Sequence, residues 1–124
     1  HGERAAQAAE TLGPRIIPAF RVRSGFSIMD HHPERFSACL LDTYVAGKHG
    51  GTGETFDWNL AREVAEAGCR VILAGGLTPE KGGDAVRQVN PYGVDTSGGV
   101  ERAPGIKDHE RIRAFIHNAK TPVS

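Results

Sequence analysis

Apolar and polar residues follow two periods along this chain. Ala5, Ala8, Ala9 and Leu12 recur at i, i+3, i+4 and i+7, which predicts an amphipathic helix over 3–12, stopped by Gly13-Pro14. Residues 15–22 (RIIPAFRV) are short, apolar and bounded by turn residues, so they read as a buried strand. Pro18 weighs against this, because proline donates nothing to a sheet ladder. The stretch 24–35 reads as an irregular connection or a short helix. Residues 38–42 (ACLLD) form a second apolar strand, followed by a long loop over 43–55 that holds Gly47, Gly50, Gly51 and Gly53. Asp57 is a candidate N-cap for a helix over 58–67, in which Leu60, Ala61, Val64 and Ala65 share one face and Gly68 ends the run.

The same alternation continues. A third strand over 71–74 (VILA) runs straight into Gly75-Gly76. Thr78-Pro79 reads as an N-cap with proline at the first helical position, and the helix continues to Val89 across a weak Gly82-Gly83 centre. Residues 92–96 are a fourth strand, followed by Ser97-Gly98-Gly99. Asp108 opens a last helix whose Ile112, Phe115, Ile116 and Ala119 lie on one face. Strand–helix alternation predicts βαβ units, and near-continuously apolar strands predict a parallel sheet covered on both faces. No composition shift marks a linker, so residues 1–124 read as one domain.

Composition narrows the function classes. Fifteen basic and fifteen acidic side chains give zero formal net charge, which argues against nucleic acid bound on a broad basic face. The apolar runs are too short to span a membrane, and the polar opening residues do not resemble a signal peptide. Cys39 and Cys69 make no disulfide framework and fit a reducing, cytoplasmic setting. Both read as packing residues: Cys39 has the wrong strand parity to work with Asp42, and Cys69 precedes its strand. His31-His32 lacks the companion ligands of a metal site, while His49, His109 and His117 read as surface or loop residues and Trp58 as packing. Sixteen of 124 residues are glycine, about 13% against a usual ~7%.

Those glycines gather where chemistry is expected. In βα-repeat proteins the loops after the strands build the site. Here they carry Asp42, Gly75-Gly76, and Asp95 to Gly99. The opposite turns, Gly13-Pro14, Gly68-Cys69 and Asn90-Pro91, are plain connectors. Glycine turns on two successive strands would converge backbone N–H groups on one anion, as in the phosphate site of many barrels. A tight turn alone would explain one such pair. Asp42 closes an apolar strand and is a candidate general acid or a loop cap; with Asp42 toward the site, Leu40 and Ala38 share its face and Cys39 and Leu41 face helices.

The segments LLDTYVAGKHGGTGETFDW (40–58), ILAGGLTPE (72–80) and YGVDTSGGVERAPGIKDHERIRAF (92–115) closely resemble phosphoribosylanthranilate isomerases. The leading His1-Gly2-Glu3 resembles the segment ending the family's fourth strand. The resemblance implies an α/β fold, the C-terminal half (strands five to eight) of a (β/α)8 barrel. It implies an Amadori rearrangement in tryptophan biosynthesis with no cofactor. Asp42 matches the general acid, and Asp95 a residue that contacts the sugar hydroxyls. Gly75, Gly76, Ser97, Gly98 and Gly99 match the phosphate cradle. His1 matches a substrate-proximal histidine. Ser97-Gly98-Gly99 replaces the usual Ser-Ser-Gly, losing a hydroxyl but no backbone amide. The family's general-base cysteine lies on a first strand that these residues do not contain, so they are expected to be inactive alone.

Two other readings stay open. A non-catalytic half-barrel could bind phosphate and self-associate, or pair with an N-terminal half, through its open sheet edges. A different phosphate-binding barrel enzyme, such as a relative of indole-glycerol-phosphate synthase, would be expected to offer lysine on strand ends, and no predicted strand carries one. In every case the expected partner is a small phosphorylated molecule, with no nucleic acid, membrane or metal.

Overall fold

The computed structural model describes residues 16–22, 26–32, 35–43 and 58–121. The helix expected over 3–12 lies outside these residues, as do His1, Asp57 and the glycine-rich loop after Thr43.

Four parallel strands form one sheet: β1 (Ala19–Arg21), β2 (Cys39–Asp42), β3 (Val71–Ala74) and β4 (Gly93–Val94), in the order β1-β2-β3-β4. Each strand sits beside its predecessor in the chain. Pro18 stands just outside β1, where only its carbonyl is used, accepting from Leu40 N–H at 2.8 Å. β4 is shorter than the strand expected over 92–96. Tyr92 and Asp95 still donate to Val71 and Leu73 carbonyls at 2.7 and 2.9 Å. Pro91 supplies no amide on one side, however, and Thr96 on the other turns its hydroxyl toward Leu77. Between β1 and β2, Ile28–His31 make a 3-10 turn, the short helix that was one reading of this stretch.

Three helices follow the predicted periods: α1 (Trp58–Glu66), α2 (Pro79–Val89) and α3 (His109–Lys120). Their buried residues Ala61, Val64, Ala85, Val89 and Phe115 form one core with Phe20, Cys39, Leu41, Val71 and Leu73 of the strands. Trp58 packs half-buried against that core. Leu41, Leu73 and Leu77 are wholly buried, each worth about 2 kcal/mol of transfer free energy. The described helices therefore cover one sheet face. Leu40, Asp42 and Ile72, of opposite parity, stay partly exposed, and Ala19 and Arg21 are exposed. Of the two faces expected to be covered, the described helices meet one, and the helix expected over 3–12 lies outside the described residues. Unbroken apolarity arises here without a second helical layer among the described residues.

The helix ends show which caps act. Asp108 Oδ1 accepts from the amides of Glu110 and Arg111 at 2.9 and 3.3 Å. Thr78 is extended and Pro79 opens α2 as expected, yet the Thr78 side chain makes no capping bond. Asn90 ends α2 at φ +53°, its amide bonded to Val86 O. Gly82-Gly83 do not break α2. They let α3 approach: a Cβ on Gly82 would meet the Phe115 ring at 3.2 Å, and one on Gly83 the Asn118 carbonyl at 3.1 Å. Ile116, expected on the buried face of α3, is 49% exposed, since Phe115 and half-buried Ile112 alone reach the core.

An antiparallel hairpin, β5 (Glu101–Ala103) with β6 (Ile106–Lys107), was not expected. Its strands are too short and too charged to show period two. It places Lys107 on a strand after all, outside the parallel sheet.

Candidate active site

The site residues collect at the carboxyl ends of the strands. Parallel register sets Arg21 beside Asp42, and Asp42 beside Ala74. Asp42 and Leu40 are half-buried while Cys39 and Leu41 are wholly buried, so Asp42 belongs to the open face. Thr43, next in sequence, is also wholly buried; its amide and hydroxyl both donate to Ala74 O, at 3.0 and 3.1 Å. This pair of hydrogen bonds ties the exit of β2 to that of β3 and fixes where Asp42 stands. Asp95 is exposed, two residues beyond Gly93, which pairs with Ile72; that spacing gives Asp95 the parity of the open face.

The two glycine turns meet each other. Gly75 and Gly76 adopt φ of +112° and +67°, values that side chains other than glycine rarely tolerate. They lead to buried Leu77, whose carbonyl accepts from Thr96 Oγ1 at 2.6 Å. Gly99 lies so close that a Cβ there would collide with the same Leu77 carbonyl oxygen. Ser97 precedes a 3-10 turn over Gly98–Val100. The turn after β3 and the turn after β4 are thus one packed unit at the N-terminus of α2, where backbone amides favour an anion.

Two basic residues brace this unit, and the candidate list drawn from sequence omits both. Arg111 of α3 donates to Gly99 O from Nε at 3.1 Å and Nη2 at 3.0 Å, and to Glu80 Oε1 from Nη1 at 3.2 Å. Holding that carbonyl from two nitrogens fixes the Gly99–Val100 peptide plane. Lys107 Nζ donates to Ser97 O and Ser97 Oγ, both at 3.0 Å, and to Glu101 Oε2 at 2.6 Å. Both carboxylates respond. Glu80 is held below its usual range by its own amide, then by Thr78 and Arg111. Glu101 is held below it by Lys107, then by the Gly105 amide. Nothing in the hydrophobic pattern marks these residues, because each acts through a charged tip reaching a backbone carbonyl. Their only signal is their position inside the 92–115 motif.

Other candidates lie elsewhere. His31 stacks on Phe26, ring centroids 5.3 Å apart, and lies 4.7 Å from Phe20. His109 and His117 are exposed on α3. Cys39 faces the helices and Cys69 lies in the turn before β3, at the other end of the sheet, so neither thiol stands beside Asp42. They do stand beside each other, Sγ to Sγ 3.2 Å, a contact that a separation of thirty positions hides from sequence reading.

A sheet wound in chain order, with helices on one face and glycine turns at the strand exits, defines a protein of the βα-barrel class. Comparison with known proteins is more specific. A model of the N-(5'-phosphoribosyl)anthranilate isomerase family matches residues 1–118, and the chain belongs to that family. A relative of that name from Trichlorobacter lovleyi is 48% identical over 120 residues, covering 97% of this chain and 58% of its own length. One from Pseudomonas fluorescens is 50% identical over 120 residues, covering 94% and 57%. Among solved structures, the isomerase from Thermotoga maritima superposes with a TM-score of 0.69 at 35% identity, over 97% of this chain and 58% of that one. The isomerase from Thermococcus kodakaraensis does so at 0.67 and 31%, over 98% and 59%. The chain thus spans a little under three fifths of the relatives it matches.

Proposed function

We propose that these residues form the C-terminal half, strands five to eight, of a (β/α)8 phosphoribosylanthranilate isomerase acting in the cytoplasm in tryptophan biosynthesis. The reaction converts N-(5-phosphoribosyl)anthranilate to 1-(2-carboxyphenylamino)-1-deoxyribulose 5-phosphate. Asp42, at the end of β2, gives its proton to the furanose ring oxygen, and the ring opens to a protonated imine. Loss of the proton from the neighbouring carbon gives an enolamine, which tautomerises to the ketose. The imine cation itself accepts the electron pair, so no cofactor is required. The amides of Gly75, Gly76, Ser97, Gly98 and Gly99 hold the phosphate, Asp95 takes the sugar hydroxyls, and His1 lies near the substrate.

The observation that carries this reading is the shared rim. Asp42 and the paired glycine turns open on the same end of the sheet, within a chain that belongs to this family. The base must come from outside these 124 residues, because Cys39 and Cys69 are their only cysteines and neither is near Asp42. The 124-residue chain alone is therefore expected not to turn over substrate. Adding a family N-terminal half that brings a cysteine on its first strand should restore turnover. Measured turnover by the isolated chain would refute the division of roles.

A second reading keeps one specific observation in its favour. β1 and β4 have no outer neighbour among the described strands, and the face bearing Asp42 is partly exposed. A second copy or an N-terminal half would satisfy both. Solution mass, with and without inorganic phosphate, separates self-association from a monomer awaiting its other half.

A further inference from the structure

The rim opposite Asp42 carries chemistry that the isomerase reading does not use. Cys39 opens β2 and is wholly buried. Its amide donates to Arg70 O at 2.9 Å, which draws the turn after α1 alongside and sets Cys69 next to it. The two thiols are free and share a hydrogen bond at 3.2 Å, about 1 Å longer than a disulfide bond. Cys69 is half-buried and lines an open cleft of about 410 Å³ bordered by Met29, Phe36, Ser37, Gly68 and Arg70. One sulfur is therefore reachable by a small reagent, and the other is sealed behind it.

Their protons are divided unequally. The hydrogen bond from Cys39 lowers the Cys69 thiol to about 7, outweighing the opposing effect of burial. That same bond, then burial, then the charge on Cys69, push the Cys39 thiol up. The shifts favour ionisation at Cys69, the sulfur that lines the cleft, over Cys39 behind it, the order of an attacking thiol with a resolving partner.

We propose that Cys69 is a hydroperoxide-reactive thiol and that Cys39 resolves it as an intramolecular disulfide. The Cys69 thiolate attacks one peroxide oxygen. The O–O bond breaks, the other oxygen leaves and takes a proton from water, and Cys69 becomes a sulfenic acid. Sulfur is oxidised by two electrons and the peroxide is reduced to an alcohol, or to water from hydrogen peroxide. The Cys39 sulfur then attacks the Cys69 sulfur. An S–S bond forms, the S–O bond breaks, and hydroxide leaves with the Cys39 proton as water. Two thiols and one hydroperoxide give one disulfide, one alcohol and one water. A reductant thiol reverses the bond.

The test treats the folded full-length protein with hydrogen peroxide, then blocks free thiols and digests with trypsin. Cleavage after Arg35, Lys48, Arg62 and Arg70 puts Cys39 and Cys69 on separate peptides, 36–48 and 63–70. The expected product is those two peptides cross-linked within one chain, and separated again by dithiothreitol. In Cys39→Ser, Cys69 should instead be captured by dimedone. In Cys69→Ser, Cys39 should remain a thiol. The proposal is overturned if wild-type Cys69 stays a thiol at peroxide levels that oxidise the urea-unfolded chain. It is equally overturned if wild-type Cys69 stops at an oxygenated thiol as Cys39→Ser does, or if cross-links form only between chains.

Discussion

Asp42 owes its position to its neighbours more than to itself. Strand parity turns it to the open face, and the two bonds from Thr43 to Ala74 O hold the strand end level with β3. Asp42→Asn keeps the shape and removes the proton. In the complete enzyme it should lower kcat by about 10²- to 10⁴-fold with little change in substrate dissociation, read from steady-state kinetics and equilibrium titration. Gly99 is a different kind of residue, chosen for what it lacks. Gly99→Ala forces the turn off Leu77 O and should destabilise by about 1–3 kcal/mol, visible as a lowered urea midpoint, while weakening phosphate binding. Asp42 and the glycines were legible in sequence because strand exits are where βα proteins keep such residues. Arg111, Lys107 and the Cys39–Cys69 contact were not. Each depends on which backbone atom or sulfur a folded neighbour presents, and no local period encodes that.

At the scale of elements, helices were the most legible part of the chain. Their bounds, Pro79 at a helix start and Asp108 at another sit where sequence spacing puts them, and of the periodic apolar positions Ile116 departs. Replacing Asp108 by Ala leaves the Glu110 and Arg111 amides without their acceptor and should cost about 1 kcal/mol in thermal or urea denaturation. The Gly82-Gly83 pair misleads as a weak point because its value is paid out in α3, not α2. Alanine would gain about 1 kcal/mol of helix propensity at either position. At Gly82 the obstacle is a side-chain ring that can give way. At Gly83 it is a backbone carbonyl that cannot. Gly83→Ala should therefore be the more destabilising of the two, a ranking that paired urea titrations would show. At the start of α2, Glu80 adds a pH term, through its own amide first and then through Thr78 and Arg111. The folded-state carboxyl lies below its ordinary value of 4.5, so its contribution is present above that pH and is lost as pH falls through the lowered value. Glu80 is largely exposed, so the effect is small. Glu80→Gln should flatten the acid limb of the stability–pH curve slightly and leave neutral pH almost unchanged. Short polar strands were the illegible elements: β5 and β6 are held by Asp108 N–H on Val100 O and by Lys107 on Glu101, contacts made only after the chain has turned back.

At the scale of the whole molecule, the described helices lie on one sheet face, and Asp42 lies partly exposed on the other. A complete barrel would turn that face inward. If the isolated 124-residue chain folds, its edges and open face should drive association, so its sedimentation coefficient should rise with protein concentration. A complementary N-terminal half should suppress that rise by covering both edges. The described helices meet one of the two faces that apolar strands predict to be covered. Apolar strands report burial on both sides, and the interior of a closed barrel buries the second side with strands rather than helices.

The chain-order winding of the sheet also bears on how fast it can assemble. The paired positions Ala19 and Leu40, Leu40 and Ile72, and Ile72 and Gly93 are 21, 32 and 21 residues apart. Each ladder between the described parallel strands therefore closes over a single crossover. A growing polypeptide can register each new strand against the one just finished, so sheet growth follows the direction of synthesis, with short loop closures at every step.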